Sequence, residues 1–339
     1  MKAVYLTGNR QVEVREIPKP QAGRSQALIK MKVSAICGSD LHTYRRVPKP
    51  GDEFVCGHEP CGVIEELGEG VTHLKVGQRA AMYHYHGCGV CKYCAGGLLQ
   101  HCGHRAGFGS VAVPGSDAEY MLVNAENVLP LPETLSFIDG AFAACIASTA
   151  YRSLNKLNLG ARKSLCVFGL GPVGLTAVKL AKAMGAGMII GVDPNPLRRE
   201  MALEIGASTT LDADDNLVKN IMDLTDGGAD GSLETSGSMA AQHNAIACSA
   251  HFGSIAVVGL TGLYDKEGGI SLSQLIPKEI TVHGSFVISM AQFHELLEFM
   301  VKKDVHFDDL VTHRYPIDKA AEAFELFDKG VTGKVIFEF

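Results

Sequence analysis

The segment Gly169-Leu170-Gly171-Pro172-Val173-Gly174 stands between a short apolar run, SLCVF (164–168), and a helical stretch, LTAVKLAKAMG. Glycines at this spacing dictate a strand-to-helix turn. The first permits the tight turn, the second lets an anionic group approach the backbone, and the third lets helix and strand pack closely. The same texture continues as MIIGVD, PLRREMALEIG, STTLDA, NLVKNIMDLTD, GSLETS, AAQHNAIACSA and SIAVVGL. Strands alternating with helices at this spacing predict βαβ units and a doubly wound parallel sheet. Asp193 ends the next strand, about 20 residues beyond the loop, which completes the context for a dinucleotide with its pyrophosphate at a helix N-terminus. A carboxylate there can accept both ribose hydroxyls of NAD and would repel a 2′-phosphate. Arg198 can lie against the adenosine ribose or recruit NADP, and beside Asp193 we expect NAD.

The preceding part of the chain has a different pattern. KAVYLT, QVEVREI, ALIKMKVSAI, GVIEELG and AEYMLV are short, partly alternating runs between Gly and Pro turns, and they predict an all-β region up to about residue 130. Residues 85–115 interrupt it with a Gly-, Cys- and His-rich stretch that needs something to hold it. Cys88-x2-Cys91-x2-Cys94-x7-Cys102 supplies four thiolates at a spacing suited to one structural Zn²⁺, whose closed shell leaves no position for chemistry. Unrelated buried cysteines or an iron–sulfur site would use the same residues. His101 and His104 are bystanders, because four thiolates already satisfy zinc.

A second set is dispersed. Cys37-Gly38-Ser39-Asp40-Leu41-His42 gathers a thiol, a hydroxyl, a carboxylate and an imidazole; Gly57-His58-Glu59 follows, and Cys145 stands in AACIASTAY. A catalytic zinc takes about three protein ligands and one exchangeable position, which Cys37, His58 and one further cysteine would provide. Composition alone does not select Cys145 over Cys56, Cys61, Cys166 or Cys248, and a single cysteine is as readily a small buried hydrophobe. The 339 residues carry a net charge of −6 with no basic stripe, so no nucleic-acid partner is expected. No apolar run is long enough to span a bilayer, and MKAVYLTGNRQVEVREIP lacks the apolar core of a signal peptide. A cytoplasmic protein without a membrane partner is expected, and its ten cysteines are not expected to form a disulfide framework.

Taken in order from residue 1 to 339, CGSDLH, GHE, the four-Cys lobe, a Cys followed by S-T-A-Y, GLGPVG with its Asp and the terminal GKVIFEF resemble the zinc-dependent medium-chain dehydrogenases of the alcohol dehydrogenase superfamily. The resemblance is nearest to the polyol, sugar and threonine dehydrogenase-like members. It implies an α/β fold with a GroES-like β-rich catalytic domain, residues 1–146 and 287–339 with a zinc lobe at about 85–115, and a Rossmann NAD-binding domain, residues 147–286. It implies two zinc ions per chain, one structural on the four cysteines and one catalytic on Cys37, His58 and Cys145, with Glu59 able to approach or join the metal. Asp40 matches the carboxylate that orients the ligand imidazole. Ser39 matches the hydroxyl that touches the substrate oxygen, and His42 the outer end of a proton relay running through the cofactor ribose. For the cofactor it adds Thr149 beside the nicotinamide, the Leu260 backbone at the carboxamide and Lys334 near the phosphates, to join Gly169, Gly171, Pro172, Val173, Gly174, Asp193 and Arg198. A homodimer or homotetramer is the corresponding assembly.

The chain departs from sorbitol-oxidising relatives, which carry a Glu-Pro pair where it has Ala144-Cys145. His84, in the segment that lines the substrate site in the family, suggests a polar pocket. Arg45 and its neighbours after the relay histidine would meet hydroxyls or an anionic group, or else form a solvated loop. The expected reaction is hydride transfer between NAD and the carbinol carbon of a polar secondary alcohol (a polyol, sugar or hydroxy amino acid). The alternatives are a general primary or secondary alcohol dehydrogenase and a non-catalytic zinc-held binding or regulatory protein.

Overall fold

The structure is a computed structural model that describes residues 1–48, 51, 53–161, 163–260 and 270–339. It divides into two compact units: Met1–Ser148 with Ile288–Phe339, and Thr149–Val287.

The first unit is built on a seven-stranded sheet whose central strand, Gln26–Ala35, is buried over most of its length. That strand pairs antiparallel with Pro60–Leu67, with Tyr120–Asn124 and with the terminal Lys334–Glu338 along different stretches. Arg79–Met82 and Val128–Pro130 extend the sheet on one side and Val311–Pro316 on the other. Alternation then sends Ala27, Ile29 and Met31 into one apolar cluster with Ile64, Met82 and Met121, while Val4, Leu6, Ile36, Phe324 and Phe337 form another. The helix Ala320–Asp328 belongs to that second cluster through Ala320, Ala323, Phe324 and Phe327.

The expected all-β character of the first 130 residues holds apart from short helical pieces. The most consequential is Asp40–Arg45, which carries the second half of the CGSDLH motif on a helical turn. The Asp40 carboxylate accepts the Cys37 backbone N–H at 2.8 Å, a local side-chain bond that draws the chain away from strand geometry. The helices Phe137–Ala144 and Ile146–Lys156 lie outside the elements expected from the sequence. In the first, Ser136 and Asp139 form a reciprocal capping box, and every residue from Ile138 to Ala144 is buried, so the run carries no polar face to betray its period.

The second unit is a six-stranded, all-parallel sheet in the order Thr209–Leu211, Met188–Val192, Ser164–Phe168, Ala229–Glu234, Ser249–Val257 and Thr281–Gly284. Numbered along the chain this is 3-2-1-4-5-6, the doubly wound dinucleotide-fold order. All five residues of Ser164–Phe168 are buried, as expected for a strand covered on both faces. The order reverses between that strand and Ala229–Glu234, and the glycine loop leaves the first of them at this switch point.

Candidate functional site

In the first unit one ligand atom from each of Cys37, His58, Glu59 and Cys145 lies within 4.8 Å of all the others. Cys37 comes from the turn before helix Asp40–Arg45, His58 and Glu59 from the segment that leads into strand Pro60–Leu67, and Cys145 from the end of helix Phe137–Ala144. Asp40 ties two of these together. Its Oδ2 accepts the Cys37 N–H, and its Oδ1 lies 3.1 Å from His58 Nδ1. The carboxylate thereby selects the tautomer in which Nδ1 carries the proton, leaving the Nε2 lone pair for the cluster. Ser39 Oγ lies 3.3 Å from that Nε2, and His42 is exposed on the same short helix.

Of the competing cysteines, Cys56 donates to Asp117, Cys61 to the Ala80 carbonyl, and Cys166 and Cys248 belong to the core of the second unit. Cys145 is the one that geometry brings to Cys37. Glu59 is completely buried, and among the described residues neither of its oxygens has a well-directed hydrogen bond, although Lys334 Nζ stands 2.6 Å from Oε2. A buried, poorly satisfied carboxylate beside two thiols and an imidazole is a donor set that a divalent cation completes.

His84 is buried and donates Nδ1–H to the Ala144 carbonyl; its ring centroid is 5.7 Å from that of His58. Burial pushes its pKa down to about 3, so it is a neutral imidazole at ordinary pH. Arg45 lies elsewhere. Its Nε is 2.6 Å from Asp328 Oδ1, a carboxylate also engaged by Arg10, so its charge is spent on the terminal helix rather than on a pocket. Lys334, expected near cofactor phosphates, is fully buried in the first unit against Glu59. Burial alone would lower its pKa, but Glu59, Cys37 and Cys145 surround it and raise it. No local pattern in the sequence marks this pairing, which links residues far apart in the chain.

The four-Cys lobe also closes. The sulfur atoms of Cys88, Cys91, Cys94 and Cys102 lie within 4.8 Å of one another, with Cys91–Cys94 at 3.6 Å and Cys88–Cys94 at 4.0 Å. A tetrahedral zinc–thiolate site with bonds of about 2.3 Å has sulfur–sulfur edges of about 3.8 Å. Backbone N–H groups of Val90 and Cys91 hold Cys88 down to about 6, toward the thiolate that a metal needs.

In the second unit the glycine loop has the geometry its sequence demands. Gly169 adopts φ +88°, and a Cβ at Gly174 would stand 1.9 Å from the Gly169 oxygen. Pro172 and Val173 open the helix Pro172–Met184. Asp193 is nearly buried; its Oδ2 accepts Leu170 N–H at 2.7 Å and its Oδ1 accepts Asn195 N–H at 2.8 Å. Arg198 Nη1 lies 3.9 Å from the same carboxylate and beside Gly171. Thr149 opens this unit, half-buried, its carbonyl accepting from Ser153, and Leu260 is exposed at the end of a described segment.

The chain matches known proteins along its length. Residues 23–133 match the alcohol dehydrogenase GroES-like domain, and residues 172–302 match the zinc-binding dehydrogenase family. Among curated relatives, the uncharacterized zinc-type alcohol dehydrogenase-like protein YphC of Escherichia coli (strain K12) is 36% identical over 354 residues, covering 100% of this chain and 99% of the relative. The L-threonine 3-dehydrogenase of Xanthomonas axonopodis pv. citri (strain 306) is 31% identical over 347 residues, covering 100% of both. Among solved structures, 2R,3R-butanediol dehydrogenase from Bacillus subtilis aligns with a TM-score of 0.89 at 28% identity, covering 100% of this chain and 99% of that one. The chain belongs to the zinc-dependent alcohol dehydrogenase family, and its fold is the GroES-like domain joined to a Rossmann domain that its motifs imply. No helix among the described residues is long and apolar enough to cross a membrane.

Proposed function

We propose that this protein transfers a hydride between NAD and the carbinol carbon of a polar secondary alcohol. The observation that carries the proposal is the convergence of Cys37, His58 and Cys145, with Asp40 fixing the imidazole and Ser39 beside it. Zinc held by Cys37, His58 and Cys145 would supply Lewis acidity that makes a substrate hydroxyl easier to deprotonate. Cys88, Cys91, Cys94 and Cys102 would hold a second zinc whose work is to order the lobe.

The chain's own residues do the rest. Asp40 keeps His58 in one orientation and tautomer. Ser39 Oγ can accept the hydroxyl proton only as it gives up its own, so it is a relay, and the exposed His42 is the group suited to exchange a proton with solvent. Glu59, beside Lys334, places a buried carboxyl group next to the thiols; burial pushes its pKa up to about 8. Asp193, held by two backbone N–H groups, is a fixed carboxylate next to the glycine loop and disfavours a 2′-phosphate, which supports NAD over NADP.

The substrate reading rests on His84 and on the relatives. A neutral, buried imidazole near His58 offers a hydrogen bond without a charge, which suits a substrate hydroxyl. L-Threonine and 2R,3R-butanediol, named in two of the relatives, are both secondary alcohols with a polar group on the neighbouring carbon. The test is NADH formation by zinc-loaded protein across simple alcohols, vicinal diols, polyols, sugars and hydroxy amino acids. Turnover concentrated on substrates with a neighbouring polar group is expected; equal or better turnover of simple alkanols would contradict the polar-substrate reading.

A further inference from the structure

One peptide group in the glycine loop is held at both ends by side chains from different strands. The Gly169 carbonyl accepts Thr235 Oγ1–H at 2.7 Å, and the N–H on the other side of the same peptide bond, that of Leu170, is bound by Asp193 Oδ2 at 2.7 Å. A trans peptide points its C=O and N–H in opposite directions, so partners on the two sides fix its rotation. Thr235 follows strand Ala229–Glu234 and Asp193 follows strand Met188–Val192, the two neighbours of Ser164–Phe168 in the sheet. The peptide therefore spans the C-terminal end of the middle strand and is pinned from both flanks.

Thr235 is tied further. Its backbone N–H donates to the Phe168 carbonyl at 2.9 Å, and its hydroxyl also lies 3.1 Å from that oxygen. Phe168 and Gly169 are the last two residues before the loop turns. The turn has no steric slack, since a Cβ on Gly169 would come within 3.0 Å of Thr235 Oγ1 and Ser236. The backbone direction leaving Gly169 decides where Gly171, Val173 and Gly174 present their N–H groups to an incoming pyrophosphate. A loop with the wrong rotation at Gly169–Leu170 must reorganise before binding, and that cost appears as lost affinity.

We propose that the Thr235 hydroxyl is a positioning residue for the dinucleotide, acting through the Gly169–Leu170 peptide rather than by touching the cofactor. The proposal rests on the dinucleotide-binding reading of the second unit. Asp193 is the obvious acid for the ribose, whereas Thr235 carries no motif signal; its part comes only from what its hydroxyl holds.

The experiment compares wild type, Thr235→Val and Thr235→Ser in the full-length, zinc-loaded protein. Dinucleotide binding is followed by fluorescence titration with NADH and NADPH, and thermal melting is recorded alongside. Valine keeps the shape and removes the donor; serine keeps the donor. Loss of one hydrogen bond to a partly buried carbonyl predicts that Thr235→Val weakens binding of the preferred dinucleotide about tenfold. Thr235→Ser should restore it to within about twofold, since its hydroxyl can make the same bond. In turnover, the valine variant should raise the dinucleotide KM more than it lowers kcat. A valine variant that melts as a folded protein and binds as tightly as wild type overturns the proposal, as does a serine variant as weak as valine. Wild type that binds neither dinucleotide would bring down the dinucleotide reading itself, and the clamp with it.

Discussion

Asp40 shows how much one side chain governs at the first unit's centre. Its two oxygens are divided between His58 Nδ1 and the Cys37 amide, so it sets both the tautomer of one candidate ligand and the backbone of another. Asn keeps the shape but substitutes an amide for one of the two acceptors, so Asp40→Asn should weaken metal binding by about 10- to 100-fold, the range seen for partners that orient ligand histidines. Competition of the cluster metal with a chromogenic chelator measures it, and an unchanged affinity would remove Asp40 from that role. Cys37, Asp40 and His58 were legible in the sequence because they lie in short motifs with mixed chemistry. Glu59 with Lys334, and Thr235 with Gly169, were not: each pairing joins distant segments, and no local pattern marks a lysine that will be buried or a threonine whose hydroxyl will face a carbonyl.

The elements divide in the same way. The strand–glycine–helix segment and the four-Cys lobe carry strong local signals: the first forms, and the four sulfur atoms of the second gather. Helix Phe137–Ala144, which delivers Cys145, was hidden because it is buried all round and has no amphipathic period. Its start is held by Asp139, which accepts Ser136 N–H, Phe307 N–H and His306 Nδ1–H. The Asp139 hydrogen bond raises the His306 pKa above 6.5. A folded-state value above the unfolded one means that the protonated His306 stabilises fully below pH 6.5. This contribution is lost as pH rises through the folded value. Thermal melting of wild type should show that decline, and His306→Gln should flatten it; parallel curves would contradict it. For the lobe, Cys94→Ala should release a metal and raise amide exchange across residues 85–115 while strand Gln26–Ala35 stays protected. Uniform exchange changes would deny the lobe its own metal-held order.

At the scale of the whole molecule, the fold follows from patterns any single sequence displays: alternating short strands in one unit and βαβ punctuation in the other. Strand order 3-2-1-4-5-6 and the antiparallel sheet then place the glycine loop at a switch point and the ligand cluster on converging turns. Substrate choice was the least legible feature, because pocket walls are made by side chains whose spacing carries no rule. Arg45 illustrates this: a charge placed suggestively in sequence is consumed by Asp328 in space. The central claim is that two separate metal centres exist and that the one built on Cys37, His58 and Cys145 does the chemistry. Metal analysis and NADH turnover of wild type beside Cys145→Ser test it directly. The account predicts about two zinc ions per wild-type chain, about one in the variant, and turnover abolished in the variant alone. A Cys145→Ser protein that keeps two zinc ions and its turnover would contradict it.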